Sequence, residues 1–246
     1  MLSLPKLIGH RGVKNLAPEN TLDSIELAHK LGLKWIEVDV KITKDKIPII
    51  LHDDSLDRTT NSNGLVIDFL YEEIKALDAG SFFFNYKTNI FIPTLEDIFN
   101  FCIKHEMGIN IELKPNKGFE IDNVKAISKI IFKYQDLRNF YFSSFDLKSL
   151  LEMKKIFPNF YYGLLIDNFE NNYSLHEYIK ICNSYNFFNF GLNKKLINNE
   201  IINEIKKNNL IITTYSEKNI KLIEANDLWK LGVTSIFIDD PSNFKI

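Results

Sequence analysis

The sequence has few cysteines, little net charge and no long apolar run, and each shortage argues against a class of protein. Its 246 residues include two cysteines, Cys102 and Cys182, which lie far apart along the chain. A disulfide scaffold or a cysteine-ligated zinc site is therefore not expected. The formal net charge of −2 gives no compositional support for binding nucleic acid. No apolar stretch is long enough to span a bilayer, so we expect no transmembrane segment.

The chain otherwise has the composition of an ordinary globular protein. Hydrophobic residues make up 45% and charged residues 25% of a length that one α/β barrel routinely occupies. The first predicted strand is reached by Leu7, which leaves no room for a signal peptide. We therefore expect a cytoplasmic protein, and the sequence leaves its oligomeric state open.

Short β-branched or aromatic runs alternate with helical patterns. Strands are predicted at residues 6–10, 35–42, 47–52, 108–114, 140–145, 160–166, 187–192, 210–215 and 235–239. Helices are predicted at residues 21–31, 95–106, 120–134, 147–156, 175–185, 199–207 and 220–231. Eight strands can be parallel, since a helix separates each from the next. The strand at 47–52 follows its neighbour after a short turn and is predicted to extend the barrel rim.

This alternation predicts a single (β/α)8 TIM barrel domain over residues 1–246, with a flat doubly wound sheet as the alternative. The chain runs only a few residues past the last strand, so the eighth helix is expected to be missing or very short. A small insertion at about residues 53–93 follows the second barrel strand. It contains a short predicted helix at 70–77 and an aromatic cluster at 82–86. We expect this insertion to shape the mouth of the active site.

Acidic side chains alternate along two neighbouring barrel strands. Glu37 and Asp39 point to one face of their strand, and Glu112 and Lys114 repeat the spacing on the next. Like charges inside a barrel need compensation by a cation or by hydrogen bonds. Three converging carboxylates indicate one divalent cation that prefers oxygen ligands, Mg²⁺ or Ca²⁺. A buried Glu–Lys ion pair that fixes the barrel register is the structural alternative.

Two histidines, His10 and His52, each end a predicted strand. Together they can supply the acid and the base that displacement at a phosphodiester needs near neutral pH. Arg11 can bind phosphate oxygens in a two-pronged contact, and Lys114 can add a point charge. The other three histidines fall on predicted helices and are assigned structural roles: His29, His105 and His176.

The order and spacing of these residues resemble the glycerophosphodiester phosphodiesterase family over nearly the whole chain. The motifs that carry the resemblance are His10-Arg11-Gly12, Pro18-Glu19-Asn20-Thr21, Glu37-Val38-Asp39, His52-Asp53, Leu56-Asp57-Arg58-Thr59-Thr60, Ile111-Glu112-Leu113-Lys114 and Asp239-Asp240-Pro241. The resemblance implies a barrel enzyme that uses a divalent cation to hydrolyse glycerophosphodiesters to an alcohol and glycerol 3-phosphate.

The resemblance also implies a role for each matched residue. Glu37, Asp39 and Glu112 would hold the cation. His10 and His52 would be the acid/base pair. The contacts to phosphate would come from Arg11 and Lys114, with Glu19 and Asn20 nearby in support.

Other readings stay open at this point. A lysophospholipase D-type or sphingomyelinase D-type phosphodiesterase would use a similar barrel, and the aromatic residues Phe82–Phe84 are placed to meet an acyl chain. Packing of these rings onto the barrel mouth is the simpler interpretation. A non-catalytic barrel that binds a polyol phosphate is disfavoured because no metal or histidine position is lost. The family's aromatic residue near the end of strand seven is replaced, and Tyr215 is the nearest candidate.

Overall fold

The computed structural model of the protein describes residues 2–134, 139–169 and 173–245. Within these ranges the strands are β1 (Leu7–Gly9), β2 (Trp35–Ile42), β3 (Pro48–Ile50), β4 (Gly108–Leu113), β5 (Phe140–Ser144), β6 (Tyr162–Ile166), β7 (Asn189–Asn193), β8 (Ile211–Tyr215) and β9 (Ser235–Ile238). The helices are α1 (Leu22–Lys30), α2 (Tyr71–Ile74), α3 (Ser81–Phe84), α4 (Leu95–Lys104), α5 (Glu120–Ile131), α6 (Leu147–Ile156), α7 (Leu175–Ser184), α8 (Asn199–Lys207) and α9 (Leu222–Leu231).

Eight parallel strands form a closed barrel. Their order is β1-β9-β8-β7-β6-β5-β4-β2, and the pairing of β1 with β2 closes the sheet. That seam is narrow, because only Gly9 and Ile36 are in register there, whereas six residue pairs join β2 to β4. β3 runs antiparallel to β2 as an extension of its edge. The predicted (β/α)8 fold is confirmed, and the flat sheet is excluded by the closure.

The sequence of β2 explains how the barrel carries charge inside. All eight of its residues are buried. The aliphatic residues that face the helices belong to the main hydrophobic core: Ile36, Val38 and Val40. The alternating positions, among them Glu37 and Asp39, therefore face the barrel interior. The parallel register places Asp39 beside Glu112 on β4, so acids from two strands meet.

Several outer helices begin at capping residues that the sequence supplies. The Thr21 side chain accepts a hydrogen bond from the Ser24 backbone N–H at the start of α1. Thr94 and Asp97 form a reciprocal capping box at the start of α4. Such caps satisfy backbone N–H groups that have no partner within the helix. They fix where each helix leaves the barrel mouth.

The insertion between β3 and α4 packs around a small hydrophobic cluster with β3. That cluster contains Ile49, Leu51, Leu56, Val66, Ile74, Ala79 and Ile92. The buried Asp78 carboxylate accepts hydrogen bonds from the backbone N–H groups of Gly80, Ser81 and Thr88 and from the Thr88 hydroxyl. Burial raises the pKa of Asp78, but these hydrogen bonds outweigh it and lower the pKa to about 2.

Element boundaries differ from the sequence prediction in three places. The helix predicted at residues 70–77 is the single turn α2. The aromatic cluster contains a helical turn, α3, that periodicity did not predict. β1 and β3 end at Gly9 and Ile50, so both predicted site histidines lie just beyond their strands rather than on them.

The segment after β9 lacks a helix in the part that the structure describes, residues 239–245. This agrees with the predicted absence or shortness of the eighth helix. None of the described helices combines the length and apolar content that crossing a bilayer requires.

Candidate active site

The turn after β1 brings Arg11 against β2. Arg11 and Gly12 have φ angles of 51° and 84°, and a Cβ added to Gly12 would lie 2.3 Å from a neighbouring side-chain oxygen, so this turn requires glycine. The Arg11 backbone N–H donates to Glu37 Oε2 at 3.0 Å. Its guanidinium donates to Glu19 Oε1 at 2.8 Å and lies 3.3 Å from Asp39 Oδ2. The turn therefore directs one backbone donor and one cationic side chain toward the interior acids.

Three buried carboxylates converge inside the barrel. Glu37, Asp39 and Glu112 each offer an oxygen within 4.8 Å of the others. Lys114 Nζ lies 3.2 Å from Asp39 Oδ1 and 3.1 Å from Glu112 Oε1. The Asn20 amide donates to Asp39 Oδ2 at 2.8 Å. Glu19 and Asn20 thus both contact site residues, as the sequence led us to expect.

The three acids differ in how far neighbouring positive charges offset the cost of burying a carboxylate. Burial raises the pKa of Glu37 well above its usual range, and the charges of Asp39 and Glu112 add to the effect. Burial also raises the pKa of Glu112. Asp39 is equally buried, but the charges of Lys114 and Arg11 hold its pKa well below its usual range. Without a cation, Glu37 and Glu112 are therefore driven toward their protonated forms, whereas Asp39 stays ionised.

The donor set fits a hard divalent cation. Glu37 Oε1 is buried and has no hydrogen-bond partner among the described residues, which is costly unless a ligand satisfies it. The converging donors are all carboxylate oxygens, which Mg²⁺ and Ca²⁺ prefer. The predicted cluster is therefore present in a form that can hold a metal ion.

His10 is held by an acidic partner. Its Nδ1 lies 2.7 Å from Asp239 Oδ1, and its Nε2 lies 3.9 Å from Glu37 Oε2. Burial lowers the pKa of His10 to about 4, although the hydrogen bond to Asp239 opposes the shift. Near neutral pH the ring is uncharged. A carboxylate at Nδ1 favours the tautomer that carries its proton there and leaves Nε2 as the basic nitrogen.

His52 has a similar arrangement on the opposite loop. Its Nδ1 lies 2.6 Å from Asp53 Oδ1. Burial lowers the pKa of His52, and the negative charge of Asp39 opposes this shift. Both histidines therefore contact a carboxylate through Nδ1, and this contact orients each ring.

The predicted site residues share one cavity. A space of about 170 Å³ is lined by six of the seven: His10, Arg11, Glu37, His52, Glu112 and Lys114. The seventh, Asp39, contacts two of those lining residues. The lining also includes Phe145 and Tyr215, whose rings meet edge to face with their centroids 5.5 Å apart. Tyr215, the nearest candidate to replace the family's aromatic residue, thus lines the cavity.

The two carboxylates that contact the site histidines, Asp239 and Asp53, were not singled out from the sequence. Asp239 and Asp53 stand in the motifs quoted above, but no role was assigned to either. Asp239 directly follows β9, so its strand-end position beside β1 was the available signal. The three histidines assigned to structure lie elsewhere, and His29 and His105 pack against each other with ring centroids 4.6 Å apart.

Comparisons with known proteins identify the family to which the chain belongs. The sequence pattern of the Glycerophosphoryl diester phosphodiesterase family matches residues 10–243. The chain is 33% identical to the glycerophosphodiester phosphodiesterase of Caldanaerobacter subterraneus, covering 96% of this chain and 94% of the relative. The enzyme of the same name from Bacillus altitudinis is 31% identical, with 97% and 96% covered.

A solved structure is similar over the same length. It is an Oleispira antarctica phosphodiesterase in complex with the product sn-glycerol-3-phosphate, with a TM-score of 0.87 at 31% identity. The match covers 96% of this chain and 93% of that one. The closed barrel and these similarities together define a phosphoric diester hydrolase. The chain belongs to the glycerophosphoryl diester phosphodiesterase family, and the predicted enzyme class is confirmed.

Proposed function

We propose that this protein hydrolyses small glycerophosphodiesters to an alcohol and sn-glycerol 3-phosphate. Glu37, Asp39 and Glu112 would hold one divalent cation, Mg²⁺ or Ca²⁺. The observation that carries the proposal is the convergence of these three acids beside a cavity that His10 and His52 both line. The product bound to the Oleispira relative supports glycerol 3-phosphate as one product.

The cation, when bound, supplies Lewis-acid stabilisation of the charge that develops on the phosphate. Arg11 and Lys114 line the same cavity and bind the remaining phosphate oxygens. The side chains of Arg11 and Lys114 are themselves held by carboxylates, so they need little reorganisation when the phosphate binds.

The two histidines handle the protons in this proposal. One imidazole Nε2 accepts the proton of the attacking hydroxyl, either from water or from the neighbouring glycerol hydroxyl, as the new P–O bond forms. The second imidazole must enter the step as an imidazolium, and it donates its Nε2 proton to the departing alkoxide as the old P–O bond breaks. Where the glycerol hydroxyl is the nucleophile, water opens the resulting cyclic phosphate in a second step. The carboxylates on Nδ1, Asp239 and Asp53, keep each Nε2 available for this exchange.

Turnover of glycerophosphocholine tests the proposal. The enzyme is treated with chelator and then assayed with Mg²⁺, Ca²⁺ or Mn²⁺, with release of choline and glycerol 3-phosphate measured separately. We expect activity only after a cation is restored. His10→Ala and His52→Ala should each lower kcat by ~10²–10⁴-fold, whereas His176→Ala should not. Retention of full activity by either site variant would refute the histidine assignment.

A second candidate function rests on the insertion. Phe82 and Tyr86 are 58% and 63% exposed, and Phe82 lines a pocket with Glu19 and Arg58 in which an acyl chain of a lysophospholipid could pack. Turnover of lysophosphatidylcholine and of glycerophosphocholine, measured in the wild type and in Phe82→Ser, separates the two candidate functions. Selective loss of the lysophospholipid activity in the variant would favour this second function. We expect glycerophosphocholine to be the better substrate in both.

We further propose that the protein acts in the cytoplasm. Both cysteines are free and buried, and burial raises the pKa of each thiol to about 12, which suits proteins that do not form disulfides. Cell fractionation with an antibody against the protein tests this location.

A further inference from the structure

Arginine is rare in this chain and concentrated near the candidate site. The sequence contains 27 lysines but only three arginines, Arg11, Arg58 and Arg138. Arg138 lies outside the described residues, and the other two are joined by one carboxylate, Glu19. Because lysine occupies nearly every other cationic position, the arginine at position 58 indicates a contact that only a guanidinium can make.

The Arg58 guanidinium binds two carboxylates at once. Its Nε and Nη2 donate to the two oxygens of Asp53 at 2.6 and 3.1 Å. Its Nη1 and Nη2 donate to the two oxygens of Glu19 at 2.8 and 2.7 Å. Both contacts are two-pronged and together use a planar fork of donors. A lysine ammonium has three donors on a flexible stem and cannot make this pair of contacts.

Glu19 is a fixed anchor for this guanidinium. It lies in the turn between β1 and α1, with a side chain only 15% exposed. Glu19 Oε1 also accepts from Arg11 Nη1 at 2.8 Å, and Arg11 is in turn bound to the β2 acids. Although burial raises it, the hydrogen bond and charge of Arg58 and the charge of Arg11 lower the pKa of Glu19 to about 2, so Glu19 stays ionised.

Asp53 transmits this restraint to His52. It accepts from Arg58 on both oxygens and from His52 Nδ1 on Oδ1. Although burial raises it, the hydrogen bonds from Arg58 and His52 lower the pKa of Asp53 to about 2. An ionised Asp53 can only accept, so His52 must carry its proton on Nδ1 and leave Nε2 free.

Resting on the function proposed above, we propose that Arg58 is a positioning residue. It holds the Asp53 carboxylate against Glu19, and Asp53 fixes the ring orientation and tautomer of His52. Arg58 does not line the central cavity, so its effect on turnover passes through His52 and not through contact with substrate. An ordinary ion pair at a side chain 47% exposed would have almost no effect on turnover.

Arg58→Lys is the decisive variant, because it keeps the charge and removes the fork. We expect kcat on glycerophosphocholine to fall about 10- to 100-fold while KM changes little, since the phosphate contacts of Arg11 and Lys114 remain. Asp53→Asn should have the same effect. Lys207→Ala, which breaks an exposed pair with Glu204 on α8, is the control and should leave kcat unchanged.

Coupling to His52 separates positioning from a general loss of structure. Arg58→Lys added to His52→Ala should lower kcat no further, because the group that it positions is already gone. A full additional loss in the double variant would overturn the proposal. So would an Arg58→Lys enzyme with wild-type kcat, or one that loses activity through KM alone.

A measurement without substrate keeps this test independent of the proposed function. Imidazole ¹⁵N shifts of the labelled protein at a pH where His52 is neutral report which nitrogen carries the proton, with His52→Ala providing the assignment. We expect Nδ1–H in the wild type and a mixture of tautomers in Arg58→Lys and Asp53→Asn. Unchanged tautomers in both folded variants would refute positioning by Arg58, even if the substrate proves to be a different phosphodiester.

Discussion

His10 and Asp239 meet across the closure of the barrel, with Nδ1 and Oδ1 only 2.7 Å apart although 229 residues separate them in sequence. The histidine follows β1 and the aspartate follows β9, and these two strands are hydrogen-bonded neighbours. A carboxylate that is only 3% exposed thus contacts Nδ1 of a histidine in the candidate site.

Asp239→Asn should lower kcat on glycerophosphocholine by about 10- to 100-fold. The amide can present N–H groups to Nδ1, which then favours the tautomer with its proton on Nε2 and removes the basic nitrogen from the cavity. Asp240→Asn is the matched control, because its carboxylate accepts from the Ser242 backbone instead. Steady-state kinetics of the two variants, each checked for folding, decides the matter; equal activities would contradict the role of Asp239.

Glu37→Gln should abolish stabilisation by the divalent cation. The free energy of unfolding of the wild type should rise by about 2.7 kcal/mol at a cation concentration one hundred times Kd, and that of the variant should not. The glutamine oxygen can still accept the Arg11 N–H. Denaturant unfolding with and without cation measures both effects, and Glu120→Gln on the outer surface is the control. A variant that the cation stabilises as strongly as the wild type would count against Glu37 as a ligand.

Glu37→Gln should also change how the stability of the metal-free protein depends on pH. The folded-state pKa of Glu37 is raised above 4.5, so the folded protein holds a proton that the unfolded chain releases. Stability of the metal-free wild type should therefore fall as pH rises above about 4.5. Glu37→Gln has no such proton and should show a smaller fall. Identical pH curves for the two proteins would contradict this assignment.

Asp78→Asn should destabilise the insertion by about 1.5–3 kcal/mol, because charge-assisted hydrogen bonds are lost and an amide faces N–H donors. The folded pKa of about 2 lies below the ordinary value of 3.8, so this carboxylate stabilises fully above about pH 4. Its contribution disappears as pH falls through about 2. Limited proteolysis of residues 53–93 and urea unfolding measure the change. Asp68→Asn in the same insertion serves as the comparison and should change neither.

Tyr215→Ala should raise KM for glycerophosphodiesters more than it lowers kcat. The ring lines the cavity, and its removal forfeits about 1–2 kcal/mol of apolar contact, or ~5- to 30-fold in KM. Tyr185→Ala removes a tyrosine exposed on the outer surface and should have no effect on either constant. An unchanged KM in Tyr215→Ala would remove this residue from the substrate-binding wall.

Local patterns were sufficient to predict the barrel and the convergence of its acids. The alternation of β2 placed Glu37 and Asp39 on one face, and parallel pairing of neighbouring strands then required Glu112 to lie close by. These statements follow from a period of two and from strand order, both readable in a single chain. The family resemblance added the expected roles of the residues.

Contacts that depend on loop geometry were beyond the sequence. Arg58 reaches Glu19 across 39 residues, and no periodicity relates the two. The sequence Ser81–Phe84 has no helical pattern of its own. The helical turn α3 nevertheless forms there, beside the hydrogen bonds that Gly80 and Ser81 donate to Asp78. Tertiary contacts decide such segments, and only coordinates reveal them.

Because a single register pair joins β1 to β2, the site is complete only once the barrel has closed. His10 enters its place only when the first strand lies between the last strand and the second, with Asp239 on one side and Glu37 on the other. A folding intermediate in which the remaining strands are already paired would still leave phosphodiesters uncut. Return of turnover during refolding therefore reports the moment of ring closure, and it should lag behind the recovery of helical signal.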